Sequence, residues 1–246
     1  MEKLRVTVWN EFYDEKQWPE ILDIYPGGVH QAIKRFLDRE NDLEVTVSTQ
    51  QDTEQGLSQE LLDRTDVLIW YSHMEKEPIA EERIDAVIRR VLDGMGLIFL
   101  HSSLGSQLAS QLLGARGHGT YREIGEKERV WVIDRSHPIA QGLNEYFEFP
   151  QSEMYGEPCD IPTPDELIFI SWYAGGNAAR SGYTYRRGAG KIFYFSPGHA
   201  WYDVMNREEF QTVVKNAVRW ARPPQCPPVQ SRGRIDSLEK ISELEE

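Results

Sequence analysis

The chain has 246 residues, is 40% hydrophobic and carries a formal net charge of −13. That length suits one large α/β core, although length alone does not separate this from two small domains. The acidic balance disfavours nucleic acid and anionic membranes as partners.

The mean hydropathy is −0.55, and no apolar run approaches the roughly 18 residues of a membrane span. Met1-Glu2-Lys3-Leu4 enters a strand-like run at once, so no signal peptide is read and a cytoplasmic location is expected. The two cysteines, Cys159 and Cys226, lie beside prolines without a CxxC, which argues against a disulfide scaffold or an all-cysteine zinc site.

Leu4 to Asn10 reads as a first strand, and residues 11 to 25 as a long polar and aromatic connection. Pro26-Gly27-Gly28 opens a helix with Val29, Ile33, Phe36 and Leu37 on one face. Leu43 to Ser48 is a second strand, and a short helix around Leu61 leads into Asp66 to Tyr71, a continuous apolar run typical of a buried parallel strand. Pro78 begins a helix carrying Ile84, Val87, Ile88 and Val91; Gly94-Met95-Gly96 ends it, and Leu97 to Leu100 is another buried strand.

Strands alternating with helices imply crossover units and a parallel sheet. The second half reads differently. Short strands are expected at Arg129 to Asp134, Phe147 to Pro150, Leu167 to Tyr173, Ser181 to Arg186 and Lys191 to Ser196, as an antiparallel extension. Gly175-Gly176-Asn177 and Gly188-Ala189-Gly190 read as hairpin turns. Phe210 to Trp220 marks a closing helix, and Pro223 to Pro228 ends a domain spanning residues 1–222, leaving 223–246 as a Pro-rich linker and charged, helical tail.

Four of the six histidines occupy comparable places. His73, His101 and His199 each follow a strand, and His30 lies in the first turn of the helix after strand one. In an open parallel sheet, loops at the strand carboxyl ends gather in one crevice where ligands bind. Taken singly, such a histidine is a polar loop residue. Four on one rim point to metal ligation or acid/base work. His118 is expected in an exposed loop, and His137, before Pro138, as a turn-shaping residue.

Glu153 follows a strand-like run and would complete a His/carboxylate site for Zn2+ or another divalent metal, with His30, His73, His101 and His199. The bland alternative is a solvated loop glutamate; no HExxH or comparably tight spacing is present. Ser102 and Ser103 follow His101 in a turn that resembles a nucleophile elbow, but the match to Gly-x-Ser-x-Gly is poor. Free N–H groups there suit an anion or a sugar hydroxyl better than a serine nucleophile. Several of Trp9, Trp18, Trp70, Trp172 and Trp201 fall near the rim, where aromatic faces stack on sugars; core packing is the competing account for most.

Pro26-Gly27-Gly28-Val29-His30, the His101 strand end, His137-Pro138-Ile139-Ala140-Gln141-Gly142-Leu143, Glu153-Met154-Tyr155 and the run Gly190 to His199 together resemble the trehalose-utilisation ThuA-like family, over about residues 4–222. The resemblance implies a class I glutamine amidotransferase-like, flavodoxin-related fold: α/β, with an open, mostly parallel sheet flanked by helices. It also implies a role in using trehalose or a related disaccharide. His199 matches the histidine of amidotransferases, whereas Ser103-Leu104-Gly105 stands where Cys-Leu-Gly is expected. Without a thiolate there is no good route to a glutamyl thioester, so no glutaminase activity is expected.

The expected protein handles a sugar derivative, with His199, Glu153 and His101 as catalytic candidates and Trp9, Asn10, Ser102, Ser103 and Tyr155 as substrate-binding ones. Asn10, Tyr155 and Asp203 are candidates to orient the imidazoles. The alternatives are a non-catalytic sugar-binding or regulatory protein on a degenerate amidotransferase fold and, more weakly, a serine hydrolase using Ser103 and His199. The expected partner is a small-molecule sugar, and homo-oligomerisation stays open.

Overall fold

The computed structural model describes residues 3–73, 77–225 and 237. Its first half consists of crossover units: β1 (Leu4–Asn10), α1 (Asp14–Gln17), α2 (Ile21–Ile24), α3 (Val29–Leu37), β2 (Leu43–Thr49), α4 (Gln59–Asp63), β3 (Val67–Tyr71), α5 (Glu81–Leu92), β4 (Gly96–Leu100) and α6 (Gln107–Leu113). The connection after β1 is not irregular throughout: it holds α1 and α2, each a single turn and too short for an apolar period to register in the sequence. The second half adds β5 (Gly117–Val132), β6 (Tyr146–Asp160), β7 (Glu166–Tyr173), β8 (Ala178–Arg187), β9 (Gly190–Phe195) and α7 (Glu208–Trp220).

All nine strands join one sheet in the order β2-β1-β3-β4-β9-β8-β7-β5-β6. β2, β1, β3, β4 and β9 pair in parallel. The remaining neighbours pair antiparallel, so the antiparallel extension is as large as the parallel core. Every residue of β3 and β4 is buried, because helices cover both faces of the parallel part. On one side Ile33 and Phe36 of α3 and Phe210 and Val214 of α7 pack on Ile69, Ile98 and Phe193. On the other, Val87 of α5 and Leu108 of α6 pack on Leu68, Phe99 and Tyr194. Each such side chain contributes about 1.5–3 kcal/mol when fully buried. Close approach explains one glycine: a Cβ on Gly96 would lie 2.3 Å from the Ala221 carbonyl oxygen, just past α7.

β5 and β6 are far longer than expected. Residues 117–128 and 151–160 are polar and glycine-containing, so they carry no apolar alternation to announce a strand. Consequently His118 and Glu153 lie on strands rather than in loops. The β5–β6 register shifts between Arg122 and Glu126 and again between Glu126 and Glu128. Such bulges bend a ribbon. Beyond them the outer half of the ribbon approaches the carboxyl ends of the core strands: a Cβ on Gly117 would lie 3.2 Å from Gly105 Cα. His137 caps a short 3-10 turn, its Nδ1 accepting from Ile139 N at 3.1 Å. Apart from Ser237, residues 226–246, which hold the end of the Pro-rich stretch and the expected helical tail, lie outside the described residues.

Candidate metal and substrate site

Four side chains converge at the carboxyl end of the parallel core. Ligand-capable atoms of His73, His101, Glu153 and His199 all lie within 4.8 Å of one another. Three come from the turns after β3, β4 and β9, as the open-sheet rule anticipates. The carboxylate comes from β6, where Glu153 and Tyr155, two residues apart, share one face of the strand.

His101 follows β4 directly and begins a 3-10 turn, His101–Gly105, with φ of 55°. That left-handed conformation costs a non-glycine residue on the order of 1–3 kcal/mol. It is the strained position of a strand-to-helix elbow, so the elbow residue is His101, not Ser103. The Ser103 hydroxyl is buried beneath it, donating to Trp70 O at 3.0 Å and accepting from Ser72 N at 2.9 Å. It has no path to a ligand.

Each imidazole of the cluster is fixed through Nδ1. His73 Nδ1 donates to the Asp14 carboxylate, and its backbone N–H donates to Glu11 Oε2 at 2.8 Å. His101 Nδ1 donates to the Ser196 carbonyl at 2.9 Å. His199 Nδ1 instead accepts from the Trp201 backbone N–H at 3.2 Å. In all three Nε2 is the ring nitrogen not held by these bonds. Tyr155 O–H donates to His101 Nε2 at 3.2 Å. Glu153 Oε2 lies 3.0 Å from His101 Nε2 and 3.6 Å from His199 Nε2, yet it makes no hydrogen bond, and neither does His199 Nε2.

Burial pushes His101 and His199 down to about 3, helped for His101 by His73 and for His199 by His101, so both rings are neutral at pH 7. Burial also pulls His73 down, but its hydrogen bond to Asp14 and the charges of Asp14, Glu153 and Glu11 outweigh it, and its pKa is raised.

A cavity of about 540 Å³ opens onto the cluster. His73, Glu153, Ser102 and Tyr155 line its floor side, and Trp18, Tyr121, Glu123 and Trp201 complete its walls. The Trp18 and Trp201 ring centroids are 6.0 Å apart. Glu123 stands within the β5 bulge, with Oε1 3.5 Å from His199 Nε2. Its pKa is raised by burial and then by the charge of Glu153.

Several expected site residues lie elsewhere. His30 is not in the cluster: its Nδ1 accepts from Asn10 Nδ2 at 3.0 Å, its ring meets Phe12 edge-on, and burial lowers its pKa to about 4. It is the second residue of α3, in that helix's first turn. Asn10 Nδ2 also donates to Glu15 Oε1, which in turn accepts the Val29 N–H that opens α3. Asn10 therefore organises a helix start. Trp9 is fully buried, stacked on Trp70 at 3.9 Å, with its indole N–H on the Gln55 carbonyl, so it has no face for a ligand. Trp172 lies out on β7, cross-strand from Arg129. Asp203 accepts from Asn206 and touches no imidazole.

The sequence reading missed Asp14, Glu11, Tyr121 and Glu123. Asp14 and Glu11 lie in a connection without periodicity, and Tyr121 and Glu123 on a strand that shows no alternation.

The fold is shared with solved structures. A ThuA-like protein of Parabacteroides merdae superposes with a TM-score of 0.70 at 12% identity, covering 93% of this chain and 94% of that one. A ThuA-like protein of Bacteroides uniformis gives 0.65 at 16%, covering 89% and 91%. PurLQS from Thermotoga maritima gives 0.54 at 12%, covering 89% and 99%, so the likeness extends to amidotransferase-like folds. No curated protein matches the chain. The family model described as ThuA, trehalose utilisation, matches residues 5–221, and the chain belongs to that family.

Proposed function

We propose that this protein acts on a sugar derivative at a centre that holds a divalent metal, zinc being the best fit, and that it has no glutaminase activity. One observation carries the metal. Glu153 Oε2 makes no hydrogen bond and faces the unprotonated Nε2 of His101 at 3.0 Å. Two lone pairs at that distance repel, and a cation between them, a metal ion or a proton, turns the contact attractive. Two ligands bound to one zinc at about 2.0–2.2 Å stand about 2.8–3.6 Å apart at angles near 90–110°.

The surroundings agree. Among the described residues, Glu11, Asp14, Glu15, Glu126, Glu128 and Glu153 are buried, whereas no lysine or arginine is. Buried charge needs compensation. Among the described residues, the basic groups within 4 Å of Glu153 are His101 and His199, whose rings are neutral. The donor set of imidazoles and one carboxylate suits zinc, and Asp14 and the Ser196 carbonyl hold two of the rings as outer partners do in metal sites.

When bound, the metal would polarise a sugar hydroxyl or carbonyl. The chain's own groups do the rest. Trp18, Tyr121 and Trp201 offer flat faces for stacking. The cavity volume falls within the roughly 300–1,000 Å³ usual for small-molecule sites. Glu153 and Glu123 accept hydroxyls, and Tyr155 closes the inner wall. Against glutaminase chemistry, the elbow carries His101, and burial pushes the Cys159 thiol up to about 12. A thiolate nucleophile is therefore lacking among the described residues.

Elemental analysis with a calorimetric screen of trehalose and related disaccharides tests this reading. Close to one equivalent of metal and saturable sugar binding are expected. Less than about 0.1 equivalent of any transition metal after zinc is supplied would reject the metal. Sugar binding without turnover would instead favour a binding or regulatory protein.

A further inference from the structure

We infer that a metal at this centre takes three ligands from the chain, His73 Nε2, His101 Nε2 and Glu153, and that His199 stays off the metal, its Nε2–H aimed at the bound substrate. This rests on the metal reading above and divides the cluster into two kinds of group.

The division follows from what each Nδ1 touches. A neutral imidazole has one N–H and one lone pair, and the hydrogen bond at one nitrogen decides what the other carries. The partners of His73 and His101 are a carboxylate and a carbonyl, both acceptors. Their Nδ1 atoms must therefore carry hydrogen, and Nε2 is the nitrogen that can offer a lone pair to a metal, in His101 by giving up its bond from the Tyr155 O–H. The partner of His199 is a backbone N–H, which can only donate. Here the lone pair is on Nδ1 and the hydrogen on Nε2, so Nε2 has nothing to give a metal while that bond is kept.

That hydrogen has a direction. His199 is 1% exposed and its Nε2 has no hydrogen-bond partner. The nearest acceptors are Glu123 Oε1 at 3.5 Å and Glu153 Oε2 at 3.6 Å, both beyond good hydrogen-bond length. Nε2 thus lies near two carboxylates, Glu123 and Glu153, that both line the cavity. A substrate oxygen entering there would satisfy a buried donor now left unmade, which is worth about 1–3 kcal/mol.

The remaining set, two histidines and one carboxylate, leaves metal positions open for a ligand. The residue that fixes the His199 tautomer through its backbone, Trp201, also presents its ring to the cavity. Substrate stacking and the aim of the donor are therefore set by one short turn after β9.

The test uses the full chain with Zn2+ and Co2+ as probes. Metal affinity is measured by chelator competition, and the Co2+ visible spectrum is recorded, for wild type, His73→Ala, His101→Ala, Glu153→Gln and His199→Gln. Thermal melts identify any variant that fails to fold. The expected result is one metal in wild type and in His199→Gln, with dissociation constants within about threefold, under 1 kcal/mol, and matching Co2+ spectra. His73→Ala, His101→Ala and Glu153→Gln should lose stoichiometric binding. Loss of metal from folded His199→Gln as severe as from His101→Ala would overturn the inference and leave the metal reading intact.

Long-range nitrogen NMR of histidine-labelled, metal-free protein decides the tautomers independently. It should find Nε2–H on His199 and Nδ1–H on His101. Nδ1–H on His199 would overturn the inference, whatever the metal analysis gives. A wild type that binds no metal would overturn the metal reading and, with it, the ligand assignment.

Discussion

Glu128 of β5 sits behind the site, fully buried, with Ser152 Oγ and Ser171 Oγ donating to its two carboxylate oxygens at 2.7 and 2.5 Å. Those hydroxyls, with Tyr173, favour the ionised form, but desolvation exceeds them and raises the pKa from 4.5 to about 7. The folded protein therefore keeps a proton that the unfolded chain releases. Below pH 4.5 both states are protonated and Glu128 costs nothing through linkage. As pH rises through 4.5 the unfolded state begins to gain, and above 7 the full penalty applies. At 1.36 kcal/mol per pKa unit the penalty is about 3 kcal/mol.

Glu128→Gln keeps the shape and removes the titration. Melting temperatures of wild type and variant, measured at pH 5 and pH 8, isolate this group from all others. For a chain of this size about 3 kcal/mol corresponds to roughly 6–12 °C. Part of the penalty already applies at pH 5, so between the two pH values wild type should lose about 2.5 kcal/mol, roughly 5–10 °C, relative to Glu128→Gln. Parallel melting profiles for the two proteins would refute the reasoning.

Other perturbations separate the roles assigned around the centre. Asp14→Asn leaves an acceptor for His73 Nδ1 but removes its charge, and chelator competition should find zinc affinity lower by about 10–100-fold. His30→Gln should keep the full metal stoichiometry of wild type by elemental analysis. It should also lower stability by about 1–3 kcal/mol, because Asn10 loses a buried partner. Trp18→Ala and Trp201→Ala should each weaken sugar binding in calorimetry by about 2–13-fold, the worth of one stacking contact of about 0.5–1.5 kcal/mol.

What the sequence disclosed follows its physics. The runs at 67–71 and 96–100 are apolar on both faces, so buried parallel strands were legible, and with them the place of His73 and His101 at their carboxyl ends; His199 follows β9, read as part of the antiparallel extension but paired in parallel with β4. His30 shares that end of the sheet but not the cluster, because helical phase and the Asn10–Glu15 network turn it toward Phe12. Trp9 illustrates the same gap: strand parity sends it into the Trp70 stack, and composition cannot separate an inward from an outward tryptophan. Ser103 looked like the elbow because Ser-Leu-Gly resembles Cys-Leu-Gly. The backbone places the strained residue two positions earlier. Glu123 and Asp14 were invisible because a bulge and a one-turn helix, which aim them, leave no periodic trace.

The centre is also a joint. Its imidazoles hang from the parallel core, but its carboxylate belongs to the β5–β6 ribbon, which reaches the core by bending at the bulges around Glu126. Glu153 Oε2 facing the His101 Nε2 lone pair at 3.0 Å is a repulsive contact between those two parts. A bound metal reverses the sign of that interaction, so metal should stabilise the ribbon's attachment more than the core itself. The overall gain follows mass action, about 2.7 kcal/mol at a hundredfold excess over the dissociation constant. Its distribution is the sharper test. With and without zinc, hydrogen exchange should show the largest added protection in sub-global openings of residues 117–126 and 152–160, with little change at β2, which is on the opposite edge of the sheet. Equal added protection at β2 and at the ribbon would mean that the metal bears only on global unfolding, and that Glu153 does not tie the ribbon to the core.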